Sequence, residues 1–392
     1  MGISGTAHNW QVFGDGGEAR PSGTARRVAD ILAGAGITVN GRQPWDLRVR
    51  DERFFERVLA LGNLGAGEAY MDGWWEVDAL DEFFERVEKA GLERNFRDIW
   101  SVLVALKGRL ANLQSLALAK RVADRHYNLG NDLYRRMLGR HMQYSCAYWR
   151  GAKTLNQAQE NKLHLIGRKL GLVPGMRLLD LGCGFGSLAH FAAKEYGCEV
   201  VSYNISREQV AYARQLCDGL PVRIEEKDYR TAAEEPQPFD RIVSVGFFEH
   251  VGHRNYKTFL KLARGCLKDG GLFLLHTIGG NQTRTSTDAW IDKYIFPGGM
   301  LPSTTQLSAA MEGCWVVEDW HNFGPDYDRT LMAWWRNFER GWPKLRSTYD
   351  DRFYRMWKYY LLSSAGAFRA RSLQLWQIVL SKGDVPSYRS VR

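Results

Sequence analysis

The sequence lacks several patterns that would place it in familiar classes of protein. No apolar run approaches the length needed to cross a bilayer, and the N-terminal MGISGTAHNW lacks the charged-then-apolar pattern of a secretory signal. The six cysteines form no Cys-x-x-Cys pair and no zinc-binding spacing, which favours reduced thiols in a reducing compartment. We therefore expect a cytoplasmic protein without a bound metal.

Acidic residues are also in short supply, 44 against 53 basic residues, which gives a formal net charge of +9. This excess favours an anionic partner, either nucleic acid or an acidic membrane surface, and composition does not choose between them. The 14 tryptophans can line an apolar ligand cavity or simply fill hydrophobic cores. The length of 392 residues predicts a large core with a smaller appended domain.

The first part of the chain predicts a mobile tail over residues 1–20 and a small α-rich domain over residues 21–106. Within that domain TARRVADILAGAG predicts a helix that ends at Gly36, and ITVNG after it predicts a strand and a turn. The domain carries no cluster of histidines, cysteines or paired carboxylates that would indicate a catalytic or metal site.

Residues 107–140 form a basic stretch that we expect to be a helical linker or a cover of the active site. Apolar residues from Leu113 to Val122 recur on what could be one side of a helix, so an interfacial helix and a solvated linker both fit. The basic residues are Lys107, Arg109, Lys120, Arg121, Arg125, Arg135, Arg136 and Arg140.

From Gly175 onward apolar strand candidates alternate with helix-length segments, which predicts a doubly wound α/β core. The candidates are MRLLDLG, EVVSYNIS, PVRIEEKDY, FDRIVSVGF and GLFLLHTIG. After an insertion at 279–305, expected to be a lid or binding element, CWVVEDWHNF and SLQLWQIVLSK supply further strands. Helices are expected between them, and residues 141–392 form the predicted catalytic domain.

The segment LLDLGCGFGSL, residues 178–188, runs from a buried strand into a glycine-rich turn. The dinucleotide fingerprint requires Gly-x-Gly-x-x-Gly, whereas here the third glycine comes one residue early. Asp180 followed by this tighter loop resembles motif I of S-adenosylmethionine-dependent methyltransferases. An ordinary tight turn from strand to helix remains an alternative.

Polar residues at the strand ends converge on the same edge of the predicted sheet, where ligands of such folds bind. Ser206 and Gln209 fit a capping box, although Gln209 with Asn204 could instead hold a ribose. Glu249 and His276 end neighbouring strands and could form an acid–base or anion-holding pair, or His276 could be an ordinary buried histidine.

Five motifs in one order carry a resemblance that spans nearly the whole chain. They are QYSCAYW, LDLGCGFG, VGFFEHVG, HTIG and DWHNFGPDYDRTLMAW. Together they resemble the bacterial cyclopropane-fatty-acyl-phospholipid synthases, relatives of the mycolic acid cyclopropane synthases. The resemblance implies a Rossmann-like class I methyltransferase sheet of seven strands with helices on both faces. It also implies S-adenosylmethionine as donor and a cis double bond of a phospholipid acyl chain as acceptor.

The resemblance also implies roles for individual residues. Those that would contact the donor are Tyr144, Ser145, Gly182, Gly184, Gln209, Asp228 and Tyr229, to which the loop and the second strand add Asp180, Gly186 and Asn204. Those that would surround a bicarbonate ion are Cys146, Glu249, His276 and Tyr327, with the backbone of Ile278. Asn204 departs from relatives, which commonly have threonine there.

A lipid substrate also explains the basic excess better than nucleic acid does, so we expect peripheral association with the inner face of the cell membrane. Relatives suggest a homodimer. Two rival functions remain: an S-adenosylmethionine-dependent methyltransferase that stops before ring closure, and a lipid-binding protein without catalysis.

Overall fold

The computed structural model describes residues 22–92 and 130–392. Its helices are α1 Gly23–Ala33, α2 Arg53–Met71, α3 Leu80–Lys89, α4 Asn131–Leu138, α5 Leu155–Leu170, α6 Ser187–Tyr196, α7 Arg207–Leu216, α8 Tyr256–Cys266, α9 Ala289–Tyr294, α10 Thr304–Met311, α11 Pro325–Gly341 and α12 Asp351–Arg369. Its strands are β1 Arg48–Val49, β2 Trp75–Glu76, β3 Arg177–Leu181, β4 Glu199–Asn204, β5 Val222–Glu226, β6 Phe239–Val245, β7 Leu267–Gly280, β8 Val316–Asn322 and β9 Leu373–Ser381.

These elements divide into two compact units. The first, which we call the helical unit, contains residues 22–92 together with 288–295 and 346–372. The second, which we call the sheet unit, contains the remaining described residues. The helical unit therefore draws α9 and α12 from distant parts of the sequence.

The helical unit is held together by an aromatic core and a buried carboxylate. The ring of Trp75 lies 5.0 Å from that of Tyr70 and 5.4 Å from that of Phe83. Glu68 Oε2 accepts a hydrogen bond from Arg57 Nη2 at 2.7 Å, and its Oε1 accepts one from Lys293 Nζ at 2.5 Å. Such a carboxylate avoids the cost of burial because both its oxygens are paired with cations.

The sheet unit is built on a seven-stranded sheet in the order β5-β4-β3-β6-β7-β9-β8. The first five strands in this order are parallel, as predicted, and β9 runs antiparallel to both β7 and β8. The chain passes from β3 outward through β4 to β5 and then returns to β6 on the other side of β3. This reversal opens a crevice at the carboxyl ends of β3 and β6, where ligands bind in folds of this kind.

Both faces of the sheet are covered, because successive strand residues point to opposite sides. On one face Leu179 and Val201 pack with residues of α8 and α10. On the other face Leu178 and Val200 pack with residues of α5, α6 and α7. The continuous apolar runs of β3 and β4 reflect this double burial.

Some sequence-based expectations need correction. The helix predicted to end at Gly36 ends at Ala33, and ITVNG forms no strand; Val39 makes only an isolated bridge with Leu47. Three consecutive β-branched residues, Ile37 to Val39, followed by a turn are too few to sustain a strand where no neighbour among the described residues offers a longer ladder. The predicted basic helix at 107–140 lies outside the described residues except for its last part, which contains α4.

Nothing in residues 22–92 or 130–392 forms a helix of sufficient length and apolar character to span a bilayer.

Candidate active site

The turn after β3 presents bare backbone at the edge of the sheet. Gly182 has a φ of +94° and Gly184 a φ of +53°, in the left-handed region that favours glycine. A Cβ on Gly182 would lie 2.6 Å from the ring of Phe247, whereas a Cβ on Gly184 would meet no atom of residues 22–92 or 130–392 within 4 Å. Gly182 is thus required by packing, and Gly184 leaves space for a ligand.

Gly186 serves a different purpose from the other two glycines. A Cβ at this position would lie 2.7 Å from the Cβ of Ala213, so its absence lets the start of α6 approach α7 closely. Gly186 does not line the cleft described below, and its role in binding the donor stays a prediction.

The amide of Asn204 organises the end of β4. Its Nδ2 donates to Gly184 O at 3.1 Å and to Gln209 Oε1 at 3.0 Å, and its Oδ1 accepts from Ser206 N at 2.9 Å. The capping box predicted for Ser206 and Gln209 is wrong, since the Ser206 side chain makes no capping hydrogen bond. The Gln209 amide oxygen is held by Asn204 instead.

A cleft of about 1490 Å³, including its open mouth, lies over these strand ends. Every residue predicted to bind the donor lines it except Gly186: Tyr144, Ser145, Asp180, Gly182, Gly184, Asn204, Gln209, Asp228 and Tyr229. Aromatic rings back one wall, where Tyr144 lies 5.4 Å from Trp334 and 5.4 Å from Tyr134 between ring centroids. The site therefore combines a polar edge with an apolar wall, as ligand sites do.

Glu249 lies just beyond β6, and its carboxylate turns toward β7. Its Oε1 accepts a hydrogen bond from Ile278 N at 2.7 Å, and its buried Oε2 has no hydrogen-bond partner among the described residues. Burial raises the pKa of Glu249 to about 7, although the Ile278 hydrogen bond opposes part of that rise. The carboxyl is therefore poised to change protonation near neutral pH.

His276 lies on β7, one residue from Thr277 and two from Ile278, and is held by the neighbouring strand. Gln377 Nε2 lies 3.2 Å from His276 Nδ1. Because an amide nitrogen only donates, Nδ1 accepts and the ring carries its proton on Nε2. That Nε2 is buried with no partner among the described residues. Burial, assisted by the charges of Lys162 and Lys169, holds the pKa of His276 well below its usual range.

Cys146 is fixed against α11, the helix that carries Tyr327. The Thr330 hydroxyl accepts a hydrogen bond from Ala147 N at 3.1 Å and lies 3.9 Å from Cys146 Sγ. Burial raises the pKa of Cys146 well above its usual value, with the charge of Asp326 acting in the same direction. Cys146 is therefore a thiol here, not a nucleophilic thiolate.

Lys162 connects the cleft with the residues behind it. It lines the cleft, is 1% exposed, and donates from Nζ to Ser145 Oγ at 2.6 Å. Burial lowers the pKa of Lys162 to about 7. The charge of Lys162 opposes the rise in the pKa of Cys146 and adds to the fall in the pKa of His276.

The residues predicted to surround bicarbonate are not themselves part of the cleft lining. Glu249 and His276 share the β7 side, and Cys146 shares the α11 side with Tyr327. The charge of Lys162 acts on the pKa of His276 and on that of Cys146. We call Cys146, Glu249, His276 and Tyr327 the polar cluster.

Sequence reasoning missed Lys162 and Gln377. The signal for Lys162 was available, since it recurs at helical spacing with Leu155, Gln159 and Ile166 on the face of α5 that is buried. A lysine on an apolar face calls for a specific partner or a function. Gln377 gave no such signal, because its contact with His276 depends on strand pairing between β7 and β9.

The sequence matches the family model for mycolic acid cyclopropane synthetase over residues 114–378. It is 52% identical over 368 residues to the cyclopropane-fatty-acyl-phospholipid synthase of Escherichia coli strain K12, which covers 93% of this chain and 96% of that protein.

Solved structures of cyclopropane synthases are also similar to this chain. The cyclopropane synthase MmaA2 from Mycobacterium tuberculosis aligns with a TM-score of 0.63 at 30% identity, covering 69% of this chain and all of that one (100%). The mycolic acid cyclopropane synthase CmaA1 complexed with SAH and CTAB aligns with a TM-score of 0.61 at 32% identity, covering 67% and 98% of the two chains.

Proposed function

This chain belongs to the mycolic acid cyclopropane synthetase family of S-adenosylmethionine-dependent methyltransferases, and we propose that it makes cyclopropane rings in phospholipid acyl chains. It would transfer a methylene group from S-adenosylmethionine to a cis double bond. The observation that carries this proposal is a glycine-loop cleft together with buried Glu249 and His276, each of which has one side-chain atom without a partner among the described residues.

The proposed donor lies in the cleft, against the backbone of Gly182 and Gly184. The unobstructed space over Gly184 favours close approach of a ligand to the main chain. Asn204 and Gln209 supply amides at the end of β4, where this fold binds a ribose. The hydrogen bonds of Asn204 to Gly184 and Gln209 would fix the loop that receives the donor.

The proposed chemistry begins with an alkene, which is a weak nucleophile and needs orientation in a dry site. The alkene electron pair forms a bond to the methyl carbon as the carbon–sulfur bond breaks, which leaves a neutral thioether and a carbocation on the acyl chain. The aromatic wall around Tyr144 and Trp334 offers π faces that stabilise a cation. A proton then leaves the added methyl group, and its bonding pair closes the ring.

A bicarbonate ion fits the unpaired atoms of the polar cluster. Within residues 22–92 and 130–392, His276 Nε2 carries a proton that meets no acceptor, and Glu249 Oε2 is an acceptor that meets no donor. Bicarbonate has acceptor oxygens and one hydroxyl, so it satisfies both atoms, whereas a simple halide satisfies only the donor. When bound, the ion supplies a base. Glu249, His276 and the Ile278 backbone would orient it, with Cys146 and Tyr327 completing its surroundings.

We further propose that the protein binds the inner face of the cell membrane peripherally and draws one acyl chain into its site. The net charge of +9 supports attraction to anionic headgroups. The insertion at 279–305 is the proposed lid, and its Pro297 and Gly298 line the cleft. A homodimer remains a prediction, which sedimentation equilibrium of the purified chain would test.

The direct test combines purified protein, S-adenosylmethionine with a labelled methyl group, and vesicles of unsaturated phospholipid. A product heavier by one methylene whose chain carries a ring supports the proposal. A methyl-branched or methylene-bearing chain would instead assign the protein to methylation without ring closure. Failure to bind S-adenosylmethionine in a calorimeter would revive the non-catalytic lipid-binding alternative.

A further inference from the structure

The polar cluster poses a charge problem for any anion that enters it. Glu249 is a carboxyl whose ionised form repels an anion, and Cys146 and His276 are uncharged. Hydrogen-bond donors offset part of the desolvation cost of a buried anion, and a cation nearby offsets more of it. A cation close to the polar cluster would therefore favour binding of an anion there.

Two buried lysines face this region from α5, and their surroundings differ. Lys169 Nζ lies 3.1 Å from Asp319 Oδ2, so its charge is already compensated. Lys162 Nζ bonds the neutral Ser145 hydroxyl and forms no ion pair with any carboxylate of residues 22–92 or 130–392. Lys162 is thus a buried amine whose charge has no counterion within the described chain.

The position of Lys162 fits a role toward both halves of the polar cluster. Ser145, its hydrogen-bond partner, directly precedes Cys146, and its charge acts on Cys146 and on His276. The titratable groups that feel the ammonium are Cys146 and His141 from the segment before α5 and His276 from β7. The charge of Lys162 acts to lower the pKa of each of these groups, so it disfavours the protonated, cationic form of the two histidines.

We propose that Lys162 is the charge-balancing residue of the bicarbonate site, and that its amine takes up one proton from solvent when the anion binds. This inference rests on the proposed function, since it assumes that the anion occupies the polar cluster. It assigns Lys162 the role of positioning and neutralising the ion. Abstraction of the substrate proton is left to the ion itself.

Proton uptake has a measurable signature in binding alone. Burial lowers the pKa of free Lys162 to about 7, and a bound anion would raise it. Above the free pKa the amine is neutral before binding and charged after it, so bicarbonate affinity should fall about tenfold per pH unit between about pH 7 and about pH 9. The affinity is read from the line width of ¹³C-bicarbonate in NMR titrations of the intact protein without donor or lipid.

Two substitutions of Lys162 separate the effect of its positive charge from the effect of its change in protonation. Lys162→Arg keeps a cation that stays protonated throughout this range, so binding should persist while the dependence on pH disappears. Lys162→Met removes the cation and should weaken bicarbonate binding about tenfold or more. Because Lys162 lines the cleft and holds Ser145, the fold of both variants is checked by circular dichroism and thermal melting and not by donor binding.

Lys169→Met is the matched control, since it removes a buried lysine two turns along the same helix. It should lower the melting temperature by breaking the pair with Asp319, yet keep the pH-dependent affinity for bicarbonate. If the pH dependence persists in Lys162→Arg, another group, such as Glu249, takes up the proton and the inference is overturned.

Equal affinity of Lys162→Met and the parent protein for bicarbonate also overturns the inference and leaves the proposed function intact. If the parent protein itself does not bind bicarbonate, both this inference and the proposed base fail. Cyclopropane formation is measured separately, so the two failures are distinguishable.

Discussion

At the scale of single residues, the buried pair of Glu249 and His276 is notable for what each atom can accept or donate. In the part of the chain that the structure describes, each side chain has one polar atom with a hydrogen-bond partner and one without: Ile278 N donates to Glu249 Oε1, and Gln377 Nε2 donates to His276 Nδ1. The bonded atoms set the orientation and the tautomer, so the unbonded atoms are presented in a fixed chemical form. An unpaired buried polar atom costs about 1–3 kcal/mol, which a bound ligand would recover.

Glu249→Gln tests whether the carboxylate acts on chemistry or on donor binding. The glutamine can keep an acceptor for Ile278 N but presents an amide donor in place of Oε2, so an anion would lose its acceptor. Turnover should fall about 100-fold or more, while S-adenosylmethionine affinity changes less than about twofold. Radiolabel transfer to vesicles and calorimetry measure the two quantities.

Asp180→Asn is the counterpart for that experiment, because Asp180 is another carboxyl whose pKa is raised to about 7 by burial, but it lines the cleft. It should weaken S-adenosylmethionine binding more than it slows turnover at saturating donor. Equal loss of binding in both variants would place Glu249 in the donor site.

Gln377→Glu tests the tautomer of His276. A carboxylate at this position accepts a hydrogen bond from Nδ1–H, so it favours the tautomer whose proton lies on Nδ1 and leaves Nε2 without the proton offered to an anion. Turnover should fall about 100-fold, and ¹⁵N NMR of the ring should show the proton moved to Nδ1. Gln374→Glu adds the same charge on β9, where the side chain contacts Asn322 instead, and should leave the tautomer unchanged. An unchanged tautomer in Gln377→Glu would contradict the assignment.

At the scale of elements, the turn between β3 and α6 separates folding from binding within three residues. Gly182→Ala places a methyl group against the ring of Phe247 in a strained backbone, and should lower the free energy of unfolding by about 3 kcal/mol. Gly184→Ala has the strain without the clash, and should cost about 1 kcal/mol.

The two variants should rank in the opposite order for ligand binding in folded protein. The methyl group that Gly184→Ala adds projects where no atom of the described residues lies within 4 Å. It should therefore obstruct the donor and lower S-adenosylhomocysteine affinity about tenfold or more. Urea unfolding and calorimetry provide the measurements. Unimpaired binding by Gly184→Ala would remove this turn from the donor site.

The elements also explain what sequence reasoning could recover. The strands of the large sheet were predictable because β3, β4 and β7 carry long apolar runs that double burial requires, and the glycine loop located the cleft. The strand predicted for ITVNG is absent because a local β-branched pattern does not supply a neighbouring strand to pair with. The capping box predicted at Ser206 does not form because Asn204, two residues upstream, donates the hydrogen bond that the Gln209 side-chain oxygen accepts. Gln377 depends on register between strands about a hundred residues apart.

At the scale of the whole molecule, the basic excess predicts how the protein meets its substrate. Replacing Lys120, Arg121 and Arg125 by glutamine should reduce association with anionic vesicles, most strongly at low salt. These three residues lie outside the described residues, so the expectation rests on sequence alone. Vesicle sedimentation at several salt concentrations measures it.

The matched control removes three exposed basic residues from the sheet unit, by replacing Arg254, Lys257 and Lys261 with glutamine. If charge in the 107–140 stretch is specific for the membrane, the control should keep its vesicle binding. Equal loss in both triple variants would show that total charge matters and the stretch does not.

The place of β9 in the sheet has a consequence for how the protein is made. β9 is the last of the seven strands to leave the ribosome, yet it lies between β7 and β8 and carries Gln377, which fixes the proton on His276. A chain that stops at residue 372 leaves one edge of β7 unpaired and β8 without its strand partner, and it lacks the amide that orients the His276 ring. Closure of the sheet and orientation of His276 therefore both depend on the same late strand.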